Sequence, residues 1–166
     1  MSSTDNYCTP GEVIDPLVKL DEIGLDPFHH PDSIVPAKVK VFRDDLHPLV
    51  TRVAPGVILG DGLDYPWDGH GLIYANGPYS DCAPWIYKGA KEGDEVVLHC
   101  PAWTSTGWWH NWVTPADVIM FWNKRLRYGD EKHHAKFHSV NVYWGYRPEK
   151  FIEVHRGLGW FVRGGG

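Results

Sequence analysis

The apolar residues of this chain fall in short runs cut by turn signals, and the sharpest of these runs is Lys91-Glu-Gly-Asp-Glu-Val-Val-Leu-His-Cys100. A Gly-Asp turn there launches a strand that ends on an imidazole and a thiol, two groups able to ligate a metal or carry protons. Comparable runs stand at Lys38-Val-Lys-Val-Phe42, Leu49-Val-Thr-Arg-Val53, Gly69-His-Gly-Leu-Ile-Tyr-Ala75, 136–146, 151–155 and 160–162. Strands this short, separated by Gly, Pro, Asn and Asp, predict a mainly β fold of barrel or sandwich type over residues 37–163. One helix is expected beside it at 115–128. Thr114 suits its N-cap and Pro115 its first turn, Val118, Ile119, Trp122 and Leu126 recur at helical spacing, and Gly129 suits its end. Pro10, Pro16, Pro27, Pro31 and Pro36 predict that residues 1–36 form an irregular arm with neither a long helix nor a central strand. Gly164-Gly-Gly166 has nothing to bury and is expected to fray.

A chain of 166 residues is one domain's worth and buries enough surface to fold without staples. Its sixteen Lys and Arg are scattered and its net charge is −5, so no basic stripe stands out for phosphates and nucleic acid is not an expected partner. The N-terminal residues lack a basic and apolar leader, and no apolar run approaches the roughly 18 to 20 residues that span a bilayer. No membrane partner is expected, and a cytoplasmic location is. Cys8, Cys82 and Cys100 are odd in number and fit neither a disulfide framework nor a zinc knuckle, so reduced thiols are expected.

Nine tryptophans supply core volume and flat faces for a ligand. Trp67, Trp103, Trp108, Trp109, Trp112 and Tyr146 are the candidate substrate-binding residues; core packing is the ordinary alternative for each. His70, open between Gly69 and Gly71, and His99 are the candidate proton donors or acceptors, since imidazole titrates near neutral pH. The structural alternative for His70 is a turn cap, and of His99 and Cys100, which point to opposite faces of a strand, one is expected to be structural. A second reading brings His99, His110, His134 and His138 together on one divalent metal, zinc or iron, in a stand-alone metalloenzyme. A third reading is a non-catalytic module whose exposed tryptophans stack on a carbohydrate or engage a protein. Asp61, Asp64 and Asp68 lack the ligand order of a calcium loop. No Gly-x-Gly-x-x-Gly, Walker or Gly-x-Ser-x-Gly motif occurs.

Several segments resemble the GroES-like N-terminal substrate domain of medium-chain dehydrogenases and reductases. They are Pro36-Ala-Lys-Val-Lys-Val41, Tyr65-Pro-Trp-Asp-Gly-His70-Gly-Leu-Ile-Tyr-Ala-Asn-Gly77 and Lys91-Glu-Gly-Asp-Glu-Val-Val97. Leu98-His-Cys100, Val142-Tyr-Trp-Gly-Tyr146 and Phe151-Ile-Glu-Val154 are similar to the crotonyl-CoA reductase branch. The resemblance implies the substrate half of an enoyl reductase, acting on a small apolar or acyl compound. It also implies a homo-oligomer or a partner subunit, because no nucleotide-binding half follows and NADPH would have to come through that partner. Gly71 stands where that family has a Glu, and no four-cysteine zinc lobe is present.

Overall fold

The computed structural model describes residues 8–43, 55–129 and 135–164. The strand expected at 49–53 lies outside them. Eight strands form one mixed sheet, namely β1 (Ile23–Asp26), β2 (Val39–Phe42), β3 (Val57–Leu59), β4 (Leu72–Ala75), β5 (Glu95–Pro101), β6 (Val118–Trp122), β7 (Ser139–Trp144) and β8 (Gly159–Arg163). Their order across the sheet is β3-β2-β1-β4-β5-β7-β6-β8. The pairs from β3 through to β5 are parallel. β7 runs antiparallel to both β5 and β6, and β8 antiparallel to β6. The sheet is open, and among the described residues three α-helices accompany it: α1 (Gly11–Leu20), α2 (Ala83–Lys91) and α3 (Pro148–Val154).

This corrects the expected β-barrel. Parallel strands need crossovers, and a central strand covered on both faces reads as an unbroken apolar run. β4 and β5 are buried along their whole length. Successive side chains feed two cores. Leu72, Tyr74, Val97, Met120 and Tyr143 join Val13, Leu17 and Phe151 of α1 and α3 on one face. Ile73, Ala75, Val96, Leu98 and Val142 join Trp85 and Ile86 of α2 on the other.

The helix expected at 115–128 is corrected too, because Val118-Ile-Met-Phe-Trp122 forms β6 between β7 and β8. A β-branched and aromatic run buried on both faces satisfies helical spacing by accident, since every position in it is apolar. The expected irregular arm holds α1 and the central strand β1. Helix α1 tolerates Pro16 in its interior by burying Val13, Ile14, Leu17 and Leu20 along one face. β1 is only four residues long and fits between the prolines. Residues 151–155, expected as a strand, mostly belong to α3, which Pro148 opens in a position where its missing N–H costs nothing.

Beneath α1, Arg147 ties four elements together. It donates through Nε to Glu95 Oε1 (3.1 Å), and its Nη2 pairs with Glu95 Oε2 and with Asp21 Oδ2. Tyr143 donates to the same Glu95 Oε1 at 2.6 Å. Burial is the main cause that raises the Tyr143 phenol, with the Glu95 hydrogen bond second.

Candidate active site at the switch point of the sheet

The strand order reverses between β1 and β4, since β2 and β3 extend from one side of β1 and β5 from the other side of β4. In open α/β sheets the crevice outside the carboxyl ends of the strands at such a reversal is where ligands bind. A small cleft lies there, with Asp26, Phe28, Tyr74 and Asn76 among its walls. Asp26 is the last residue of β1 and Tyr74 is in β4. Thr9, Cys8, His30 and Ser33 complete the lining.

Each polar wall residue is held from behind. Asp26 is buried, and its Oδ1 accepts the Phe28 N–H (3.2 Å) while Oδ2 lies 2.6 Å from His29 Nδ1. The Asn76 amide donates to Thr9 Oγ1 (3.1 Å), which also bonds the Tyr74 hydroxyl at 2.9 Å. Burial pushes the Tyr74 phenol up, so it stays neutral. Asn76-Gly77-Pro78-Tyr79 leaves β4 as a tight loop. A Cβ on Gly77 would come within 2.7 Å of the Trp85 ring, and Trp85 Nε1 donates to the Pro78 carbonyl at 3.1 Å. Tyr79 is buried, its ring edge-on to Phe137 (5.4 Å) and Tyr128 (6.5 Å). Burial raises its phenol as well.

Tyr128 leads into a second buried polar set. Its hydroxyl lies 2.7 Å from His99 Nε2 and 2.6 Å from Ser139 Oγ, while His99 Nδ1 is 2.6 Å from Asn141 Oδ1. Asn141 Nδ2 reaches His155 Nε2 (3.2 Å), and His155 Nδ1 donates to the Phe151 carbonyl (2.8 Å).

The residues singled out from sequence are dispersed. His99 is fully buried in the set just described. His70 stands just before β4 at its amino end, with Tyr65 beside it (5.5 Å), away from the cleft. Trp67 is fully buried, donating to the Gly62 carbonyl (2.9 Å), and Trp109 is buried in the α2-side core. Trp112 packs on Tyr87 under Lys91. Trp103 and Trp108 adjoin each other past β5 (6.5 Å), and Tyr146 is exposed past β7, at the other end of the sheet. His110 and His138 are exposed, and His134 lies outside the described residues. Among the described residues no group of three or more His, Cys, Asp or Glu could hold a metal. Nor is any described helix long and apolar enough to cross a membrane.

Sequence reasoning missed Asp26, Thr9 and Asn76. The Gly-rich loop it sought is the mark of a pyrophosphate cradle, and Pro27-Phe-His-His-Pro31 after β1 is not one. The available signal was an amide and an aromatic residue, Asn76 and Tyr79, directly after an apolar strand.

Fold and cleft together define a methyltransferase-like α/β protein. A protein described as an RNA methyltransferase from Pyrococcus horikoshii superposes with a TM-score of 0.54 at 15% identity, over 82% of this chain and 84% of that one. A dimethyladenosine transferase from Plasmodium falciparum gives 0.53 at 15% identity over 88% and 65%, and the 23S rRNA methyltransferase ErmE 0.52 at 12% over 85% and 70%. Residues 59–142, just over half of the chain, match the DNA N-6-adenine-methyltransferase (Dam) family, and the chain belongs to that family. No curated protein matches the sequence.

These findings overturn the GroES-like resemblance and, with it, the oxidoreductase reading and the small acyl substrate; the metalloenzyme and carbohydrate-module readings find no support either. Most segments behind the resemblance are strands or contain one, in another topology, while Phe151-Ile-Glu-Val154 lies in α3. Lys91-Glu-Gly-Asp is a helix-to-strand turn, with Gly93 at φ +87° where α2 gives way to β5. The exclusion of nucleic acid is corrected as well, because a DNA-methyltransferase family acts on nucleic acid and net charge, a whole-chain sum, hides local distribution.

Proposed function

We propose that this protein transfers a methyl group to the exocyclic N6 amine of adenine in DNA. The observation that carries the reading is Asn76 at the carboxyl end of β4, sharing one switch-point cleft with Asp26 of β1, in a chain of this family. Asparagine is the side chain that pairs with adenine through its N6 amine and a neighbouring ring nitrogen. Thr9 takes the Asn76 amide N–H, which holds the side chain in the cleft wall.

The family implies a sulfonium methyl donor of the S-adenosylmethionine type, and the residues present fit it. The Asp26 carboxylate suits the donor's ammonium and hydroxyl groups, Thr9 and Ser33 add hydroxyl partners, and Phe28 adds an apolar surface. When bound, such a donor supplies an electrophilic methyl carbon. The protein's own part is to hold the amine and keep water away. The lone pair of N6 is drawn into the purine ring, so accepting an N–H bond at Asn76 returns electron density to the nitrogen. Tyr79 with Tyr128 and Phe137 forms a packed aromatic cluster behind the loop, which holds Asn76 in place.

Substitution at Asn76 tests this. Asn76→Ala is expected to lower the rate of methyl incorporation into DNA by on the order of 100-fold, the usual loss when one preorganised polar contact to the reacting group is removed. Donor binding measured by calorimetry should survive. An Asn76→Ala protein that methylates DNA at the unsubstituted rate contradicts the assignment.

A further inference from the structure

We propose that Tyr128 is a positioning residue for methyl transfer: its ring and the backbone of Gly129 brace the Asn76 site from two sides, and the buried His99 and Ser139 hold it to the sheet. This rests on the methyltransferase reading and adds to it the residues that fix where Asn76 stands.

The register of the sheet puts these residues at the end that carries the cleft. β6 is antiparallel to β7, which is antiparallel to β5, so the carboxyl ends of β5 and β6 and the start of β7 lie together with the carboxyl ends of β1 and β4. Tyr128 follows β6 at that end and is buried. From there two adjacent residues converge on Asn76. The Tyr128 ring meets Tyr79, three residues after Asn76, edge-on at 6.5 Å, and both rings pack on Phe137 at 5.9 and 5.4 Å. The Gly129 N–H donates to the carbonyl of Cys8 at 3.2 Å. Cys8 directly precedes Thr9, whose Oγ1 accepts the Asn76 amide N–H at 3.1 Å. A displacement of residues 128 and 129 therefore reaches Asn76 by two routes, through its own loop and through its hydrogen-bond partner.

The hydroxyl is what fixes the ring. It lies 2.7 Å from His99 Nε2 and 2.6 Å from Ser139 Oγ. His99 Nδ1 donates to Asn141 Oδ1 at 2.6 Å, so Nε2 accepts, Tyr128 donates to it, and Ser139 donates to the Tyr128 oxygen. His99 belongs to β5, and Ser139 and Asn141 to β7, two paired strands in the middle of the sheet. All three are buried. Two partners on two paired strands leave the phenol one position, whereas packing alone lets a ring slide. Such precision matters for chemistry, since a misplacement of about 1 Å that originates away from the reacting atoms can cost on the order of 100-fold in rate. Tyr143 is the matched case at the opposite end of the sheet. Its buried hydroxyl also has two partners, donating to Glu95 Oε1 (2.6 Å) and accepting the Arg147 N–H (2.8 Å), and Glu95 opens β5 at its amino end.

The test pairs steady-state methyl transfer to adenine-containing DNA with NMR of the Asn76 side-chain amide, assigned by its disappearance in Asn76→Ala. Each protein is measured well below its own melting midpoint. Tyr128→Phe keeps the ring and removes the hydroxyl. It is expected to lower kcat by about tenfold or more, to leave the KM for the S-adenosylmethionine donor within about twofold, and to shift the Asn76 amide resonance. His99→Leu should follow it, whereas His99→Gln, which can still accept from Tyr128 and donate to Asn141, should restore the resonance and bring kcat to within about threefold of the unsubstituted chain. Tyr143→Phe gives up an equally buried hydroxyl, so it should melt earlier while its kcat and its Asn76 resonance stay unchanged. If Tyr128→Phe does not fold, the contrast between Ser139→Ala, which should shift the resonance, and Tyr143→Phe carries the test. An unmoved Asn76 resonance in both Tyr128→Phe and Ser139→Ala, or equal losses of kcat in Tyr128→Phe and Tyr143→Phe, overturns the positioning role. A failure of the unsubstituted chain to methylate DNA overturns the methyltransferase reading, while the resonance still decides whether Tyr128 braces Asn76.

Discussion

His99 and His155 show how fully one residue's protonation can be read from its neighbours. Phe151 offers His155 Nδ1 only a carbonyl, and Asn141 offers His99 Nδ1 its side-chain oxygen, so both rings carry their proton on Nδ1. Each Nε2 then accepts, from the Asn141 amide in one case and the Tyr128 hydroxyl in the other. Both rings are therefore neutral, and burial lowers each from 6.5 to about 4. Above the unfolded value both states are uncharged and nothing is gained or lost. As pH falls from 6.5 toward 4, the unfolded chain takes up protons that the folded chain refuses, so stability drops. The slope is about 1.4 kcal/mol per pH unit for each ring once the unfolded imidazole is mostly protonated. Ring-nitrogen NMR should show both histidines still neutral at pH 5 while urea unfolding shows the lost stability. Protonation of either ring near pH 6.5 in the folded protein contradicts the network. Tyr128 links this set to Tyr79 by a ring contact, and His99 is packed within it, fully buried.

At the level of elements, the chain's own tie is the Glu95 and Arg147 pair, which joins the start of β5 to the residue just before α3 and, through Asp21, to the end of α1. Glu95 is almost wholly buried, so removing its partner strands a charge. Arg147→Ala is expected to cost about 3 to 5 kcal/mol in denaturant unfolding, and Asp21→Asn, on the exposed side of the same guanidinium, under about 1 kcal/mol. Equal, small effects would show that Glu95 finds another partner. The strands were legible from sequence wherever polar and apolar residues alternate or turn residues bound the run, as at β2, β4 and β5. The pattern gave way at β6, where apolar residues on both faces erase the period, and at α1 and α2, where Pro16, Pro84 and Gly89 masked helices stabilised by packing. With α1 and α2 unseen, strands that are parallel looked like the hairpins of a barrel.

For the molecule as a whole, the site belongs to topology more than to any motif. Asp26 and Asn76 stand fifty residues apart in sequence, and they meet only because the strand order turns back between β1 and β4. The aromatic richness of the chain was visible from composition, but its distribution was not. Most candidate tryptophans are buried or half-buried, and among them Trp103 is exposed on the rim that carries the cleft. The measurement that bears most directly on the account is nucleoside mass spectrometry of adenine-containing DNA incubated with the protein and an isotope-labelled methyl donor. The account predicts label in N6-methyladenine and none in cytosine. Label confined to another base, or none in DNA while the donor binds the cleft, would contradict it.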